Sequence, residues 1–89
     1  MKKYEIVFTQ TAMVALESMS TSNQQIVAER LSYYSNNPLD SDSNILKKEN
    51  LPDGQLLYIL RINASIRVVF KIQKSTMLIL NIRNGKWEK

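Results

Sequence analysis

The chain has 89 residues, 44% of them apolar, and a net charge of +4. That length fits one domain spanning residues 1–89 with a modest core, and the composition excludes wholesale disorder. The absence of cysteine and histidine excludes disulfide frameworks, zinc–thiolate centres and any histidine-based triad or general acid.

Residues 3–8 predict a strand, with Tyr4, Ile6 and Phe8 on one face by period two. Thr9 suits the cap of a helix from Gln10 to about Ser18, on which Ala12 or Met13, Leu16 and Met19 share a stripe. Ser20 to Asn23 break it. Ser22 with Gln25 three residues on forms a capping-box pattern for a second helix. That helix runs to about Ser35, with Val27, Leu31 and Tyr34 spaced i, i+4, i+7. So short a break predicts a helical hairpin.

Asn36-Asn37-Pro38 stops the second helix, and a polar loop follows to residue 45. The stretch from Leu46 to Gly54 fits no single template, although Pro52-Asp53-Gly54 is a turn signal. Three strands are predicted near 55–62, 66–73 and 76–83, joined by hairpin-length connections at 63–65 and 74–75. The expected fold is α+β, in the order β-α-α-β-β-β. A two-helix hairpin packs on one face of a mainly antiparallel four-stranded sheet.

Charge is unevenly placed along this order. Residues 1–46 carry three basic and five acidic side chains, or −2, whereas residues 47–89 carry nine basic and three acidic, or +6. So basic a half suggests a polyanionic partner, either nucleic acid or an acidic protein, against plain solubility as the alternative. Among the acids, Asp40 and Asp42 are the one closely spaced pair. They sit in a Ser/Asn-rich loop without the glycine and later glutamate of a calcium loop, so no metal site and no cofactor are expected. No apolar run has the length of a signal peptide or a membrane span, so a cytoplasmic location without membrane contact is expected.

Strand alternation sorts the meander residues. Leu56, Tyr58, Leu60 and Ile62 share a face, as do Ile66, Val68, Phe70 and Ile72, and Leu78, Leu80 and Ile82. These sets predict the core under the helices. The opposite face then receives Leu57, Ile59 and Arg61, then Arg67, Val69 and Lys71, then Met77, Ile79, Asn81 and Arg83. Every meander arginine therefore falls on the non-core face. A guanidinium grips phosphate oxygens bidentately and stays charged at any working pH, and clustered arginines stabilise a phosphoryl-transfer transition state. The competing reading is a solvated sheet face. Leu57, Ile59, Val69 and Ile79 weigh against it and suggest a half-covered groove or a protein-binding surface. Trp87, the sole tryptophan, lies near Arg83 in sequence and suits either base stacking or closure of the small core.

With these residues in place, nearly the whole chain resembles the toxins of the RelE/ParE superfamily, nearest the RelE and HigB branches. Tyr4-Glu5-Ile6-Val7-Phe8-Thr9, with Ala12 and Leu16, resembles the family's opening strand and first helix. Leu51-Pro52-Asp53-Gly54 resembles the stretch before its meander. Leu60-Arg61-Ile62-Asn63 and Ile66-Arg67-Val68-Val69-Phe70 resemble its paired-arginine hairpin. Leu78-Ile79-Leu80-Asn81-Ile82-Arg83 resembles its last strand. No single motif is specific; order and spacing together carry the likeness.

The resemblance implies the toxin of a bacterial type II toxin–antitoxin system, a metal-free endoribonuclease that cuts mRNA in the ribosomal A site and inhibits translation. By position, Arg67 and Arg83 would grip and neutralise the scissile phosphate, with Arg61 assisting. Lys47, Lys48, Lys71, Asn81, Lys86 and Trp87 would bind RNA, with Trp87 where the family has a tyrosine. The implied partners are a cognate antitoxin, the ribosome and mRNA, with DNA reached only through the antitoxin.

The departures concern proton transfer. Leu57, Tyr58 and Ile59 occupy the strand where family ribonucleases often place lysines, and tryptophan cannot donate a proton as tyrosine does. Lys71, Lys86, Glu49 and Tyr58 are the side chains left for that role, with Tyr58 on the expected core face. The alternatives are a non-enzymatic DNA gyrase inhibitor of the ParE type and an inactive homologue that only binds an antitoxin.

Overall fold

The computed structural model describes residues 4–37 and 43–85. Its elements in chain order are β1 (Glu5–Phe8), α1 (Gln10–Glu17), α2 (Thr21–Asn36), β2 (Ile45–Asn50), β3 (Leu56–Arg61), β4 (Ile66–Gln73) and β5 (Thr76–Asn84). The strands form one sheet in the order β1-β5-β4-β3-β2. β1 runs parallel to β5, and the remaining pairs are antiparallel. This is the expected α+β arrangement, with the two helices packed on one sheet.

The sheet has five strands rather than the expected four. The additional strand is β2, drawn from the stretch that fitted no template. It is an edge strand, exposed from Leu46 to Asn50. Pairing with β3 on one side holds it, so it needs no alternating apolar pattern of its own. Lys47, Lys48 and Glu49 protect such an edge from pairing with other chains. The β2–β3 turn closes through Leu51 N–H to the Gln55 carbonyl (2.8 Å) and Gly54 N–H to the Leu51 carbonyl (3.0 Å). Gly54 has φ +86°, a conformation that costs a side-chain-bearing residue free energy.

Both helices start on hydroxyl caps. The Thr9 hydroxyl accepts from Ala12 N–H (3.2 Å), as expected. The second cap is Ser20, not Ser22: Ser20 Oγ accepts from Asn23 N–H (3.2 Å). The earlier start is reinforced by the Gln24 side-chain amide, which donates to the Met19 carbonyl (3.0 Å). α1 and α2 bury Ala12, Val27, Leu31 and Tyr34, and Met19 between them is buried too. These meet Tyr58, Leu60, Ile62, Ile66, Val68, Phe70 and Ile72 from the sheet in one core. The Tyr58 and Phe70 rings stack at 5.2 Å.

The third meander strand differs from strict alternation. Phe70 pairs with Ile79 but Val69 pairs with Asn81, so Leu80 is an extra residue, a β-bulge. Before the bulge Met77 and Ile79 face the core and are fully buried, while Leu78, expected in the core, lies opposite Lys71 on the other face. After it Ile82 faces the core. Thr9 explains why the bulge is stable. Its N–H donates to the Ile79 carbonyl (3.0 Å), and its hydroxyl reaches the carbonyls of Ile79 (3.0 Å) and Leu80 (3.1 Å). One residue thus caps α1, continues the β1–β5 pairing through its N–H, and reaches the carbonyl of the bulged Leu80 through its hydroxyl.

Candidate functional site

The bulge determines what stands on the sheet face away from the helices. Arg61 lies directly opposite Arg67, and Arg67 directly opposite Arg83. The three arginines expected on one face are therefore a straight row across β3, β4 and β5. Neighbouring strands are about 4.8 Å apart, so the row spans about 10 Å. Like charges placed directly opposite one another destabilise a sheet. A row of three is thus an arrangement that folding alone does not favour, and it suits an anionic ligand. Arg67 is central and half-buried, while Arg61 and Arg83 flank it exposed.

Arg61 is held at the sheet edge. Its N–H donates to the Asn44 carbonyl (2.7 Å), and its guanidinium Nη2 lies 3.4 Å from Asn44 Oδ1. The Asn63 carboxamide oxygen accepts from Ser65 N–H (2.8 Å) and Ile66 N–H (2.9 Å), an Asx-type turn that sets the β3–β4 register pairing Arg61 with Arg67. Beyond Arg83, Gly85 N–H donates to the Ser65 carbonyl (3.0 Å).

The next row on this face is Lys47, Ile59, Val69 and Asn81, and the one beyond is Glu49, Leu57, Lys71 and Leu78. The arginines thus border a half-buried band of Leu57, Ile59, Val69 and Leu78. Asn81 serves the bulge, its Oδ1 accepting from Ile82 N–H (2.9 Å). Lys47 pairs with Glu49 at 3.4 Å. Lys48 goes to the opposite face, where its ammonium lies 6.0 Å from the centre of the Tyr58 ring. Lys86 and Trp87 lie outside the described residues.

Of the side chains considered for proton transfer, Tyr58 is buried in the core and stacked on Phe70. Glu49 and Lys71 stand two rows from the arginines. Among the described residues, no three acidic side chains come together as a metal site would need. No described helix is long and apolar enough to cross a membrane.

Asn44 was not among the expected site residues. It directly precedes β2, and the Arg61 N–H donates to its carbonyl there.

No family model matches the chain, and no curated protein matches it. Solved structures do. A chain of the archaeal RelE-RelB complex from Pyrococcus horikoshii OT3 aligns with a TM-score of 0.76 and 17% identity, over 92% of this chain and 94% of that one. A chain of the toxin-antitoxin complex RelBE2 from Mycobacterium tuberculosis aligns with a TM-score of 0.71 and 23% identity, over 96% and 94%. The fold is thus shared along nearly the full length of both.

Proposed function

We propose that the chain is the toxin of a type II toxin–antitoxin pair and acts as a ribosome-dependent mRNA endoribonuclease. The observation that carries this reading is the row Arg61–Arg67–Arg83 on the face opposite the helices. The fold, shared with chains of RelE-RelB and RelBE2 complexes, supports the same reading.

In this mechanism the row receives the scissile phosphate. Arg67, flanked on both sides, and Arg83 bind its non-bridging oxygens, and Arg61 holds the backbone beside them. The neighbouring 2′-oxygen attacks phosphorus and gives its proton to water. The bond to the 5′-oxygen breaks, and that oxygen takes up a proton from water. The products are a 2′,3′-cyclic phosphate and a 5′-hydroxyl. Negative charge grows on the phosphoryl oxygens in the transition state, where fixed guanidinium groups stabilise it most. The chemistry needs no metal or cofactor. Lys71 adds positive charge along the same face, Lys47 contacts RNA beside its partner Glu49, and Lys86 and Trp87, which follow Arg83 in sequence, are further RNA-binding residues in this reading. Lys48, on the opposite face, meets RNA that passes around the β2 edge.

The partner that restrains the toxin is an antitoxin. An acidic segment with apolar side chains matches this face, because the arginines border the band of Leu57, Ile59, Val69 and Leu78. The same band favours a second reading, a protein-binding gyrase inhibitor of the ParE type. An apolar band suits a protein surface better than it suits a phosphodiester.

Programmed ribosomes separate the two. Purified protein is added, and new mRNA ends are mapped by primer extension, with Arg67→Ala alongside. Ribosome-dependent cuts that the variant fails to make are the expected result. A folded, toxic protein that makes no cuts and inhibits gyrase supercoiling would overturn the ribonuclease reading.

A further inference from the structure

The arginine row ends at a second feature. Asn44, which holds Arg61 through its carbonyl (2.7 Å) and its side-chain oxygen (3.4 Å), also lines a cavity of about 360 Å³ on the helix side of the sheet edge. Among the described residues, Glu29, Arg30, Tyr33 and Tyr34 of α2 line it as well. The cavity is therefore joined to the row through one residue. Among the described residues no strand lies beyond β2.

The wall has the chemistry of a nucleobase site. Tyr33 is 55% exposed. Its ring is braced edge-to-face against Tyr34, with centroids 5.1 Å apart and planes at 90°. Tyr34, which braces it, is buried. Arg30 supplies one cation beside the ring. Glu29 supplies an acceptor that repels phosphate but accepts from the amino and imino groups of a base. A phosphate site would exclude that carboxylate; a base site uses it.

A larger depression, about 590 Å³, lies at the far end of the sheet between the turns at Asp53–Gln55 and Gln73–Thr76. It presents no aromatic ring and is separated from the arginines by the length of β4.

We infer that the Tyr33 cavity is a base-binding subsite for single-stranded RNA. It stacks and hydrogen-bonds a nucleotide neighbouring the one whose phosphate lies on Arg61. This rests on the proposal that the arginine row holds RNA. The subsite makes recognition depend on a base outside the cleaved bond, so it is a determinant of sequence preference.

The test uses short single-stranded RNAs, each with one 2-aminopurine at a different position, titrated into the full-length protein. Stacking quenches the fluorophore. The expected result is strong quenching at one position, lost in Tyr33→Ala and kept in Tyr33→Phe, with about tenfold weaker binding in the alanine variant. The midpoint of chemical denaturation is measured for both variants to show that they fold. RNA binding that Arg67→Ala weakens and Tyr33→Ala leaves unchanged would overturn the subsite and leave the RNA-binding row standing. No RNA binding by the wild-type protein would overturn both.

Discussion

On the helix-covered face of the sheet, Leu60, Val68 and Phe70 are wholly buried. One residue away along the same strands, Arg61, Arg67 and Val69 stand on the other face, where no described residue is fully buried. The first face follows the rules for a stable sheet, with apolar side chains closely packed and two rings stacked. The second breaks one of those rules by setting three like charges in register. Three arginines in register on one face, beside an ordinary packed core on the other, support the proposal that the arginine face serves binding.

Substitution tests this contrast. The largest expected effect on stability lies on the core face. Phe70→Ala removes a fully buried ring and should cost about 3–5 kcal/mol in equilibrium denaturation, a large part of the stability of a domain this size. A cost under about 1 kcal/mol would show the core to be loosely packed.

Next is the residue that serves both faces. Thr9→Val keeps the shape but removes the hydroxyl that caps α1 and reaches the bulge carbonyls. It should cost about 1–2 kcal/mol. Because the bulge determines which way Arg83 points, RNA binding should fall more than stability alone explains. Unchanged RNA binding in the folded variant would mean that the bulge holds without Thr9.

Gly54→Ala forces a methyl group onto a residue at φ +86°. The expected cost is about 1–2 kcal/mol. RNA binding should not change, since this turn closes the opposite end of β3 from Arg61. A drop in binding in the folded protein would show that the row is coupled to the distant turn.

The smallest stability effect belongs to the second face. Arg61→Gln relieves one like-charge contact while losing a long bond to Asn44 at 3.4 Å. Stability should change by less than about 0.5 kcal/mol, or rise. A loss above about 2 kcal/mol would make the arginine structural.

Much of this contrast is readable from residues alone. Period-two alternation over Leu56–Ile62 and Ile66–Ile72 sorts core from arginine face with no knowledge of register. It succeeds because β3 has neighbours on both sides and β4 lies at the centre, where burial is continuous. The same reasoning places Leu78 in the core, and there it fails. The bulge at Leu80 depends on Thr9, 71 positions away in sequence, and nothing between Met77 and Arg83 announces it. Arg83 reaches the row by the bulge rather than by plain alternation.

β2 was hidden for a different reason. An edge strand needs no apolar period, and Lys47-Lys48-Glu49 reads as a charged loop until β3 is there to pair with it. Once that strand is known, adjacent Lys47 and Lys48 must separate to opposite faces. The cavity beside Tyr33 was hidden too, because it brings α2 beside Asn44, a juxtaposition that no local pattern encodes.

The most direct test of the arginine row pairs two readings on one variant, Arg83→Ala. Cleavage of mRNA on programmed ribosomes and the midpoint of chemical denaturation are measured side by side. Cleavage is expected to fall by about 100-fold or more, far beyond what any change in the midpoint explains. Cleavage that persists, or that falls only in step with stability, would contradict it.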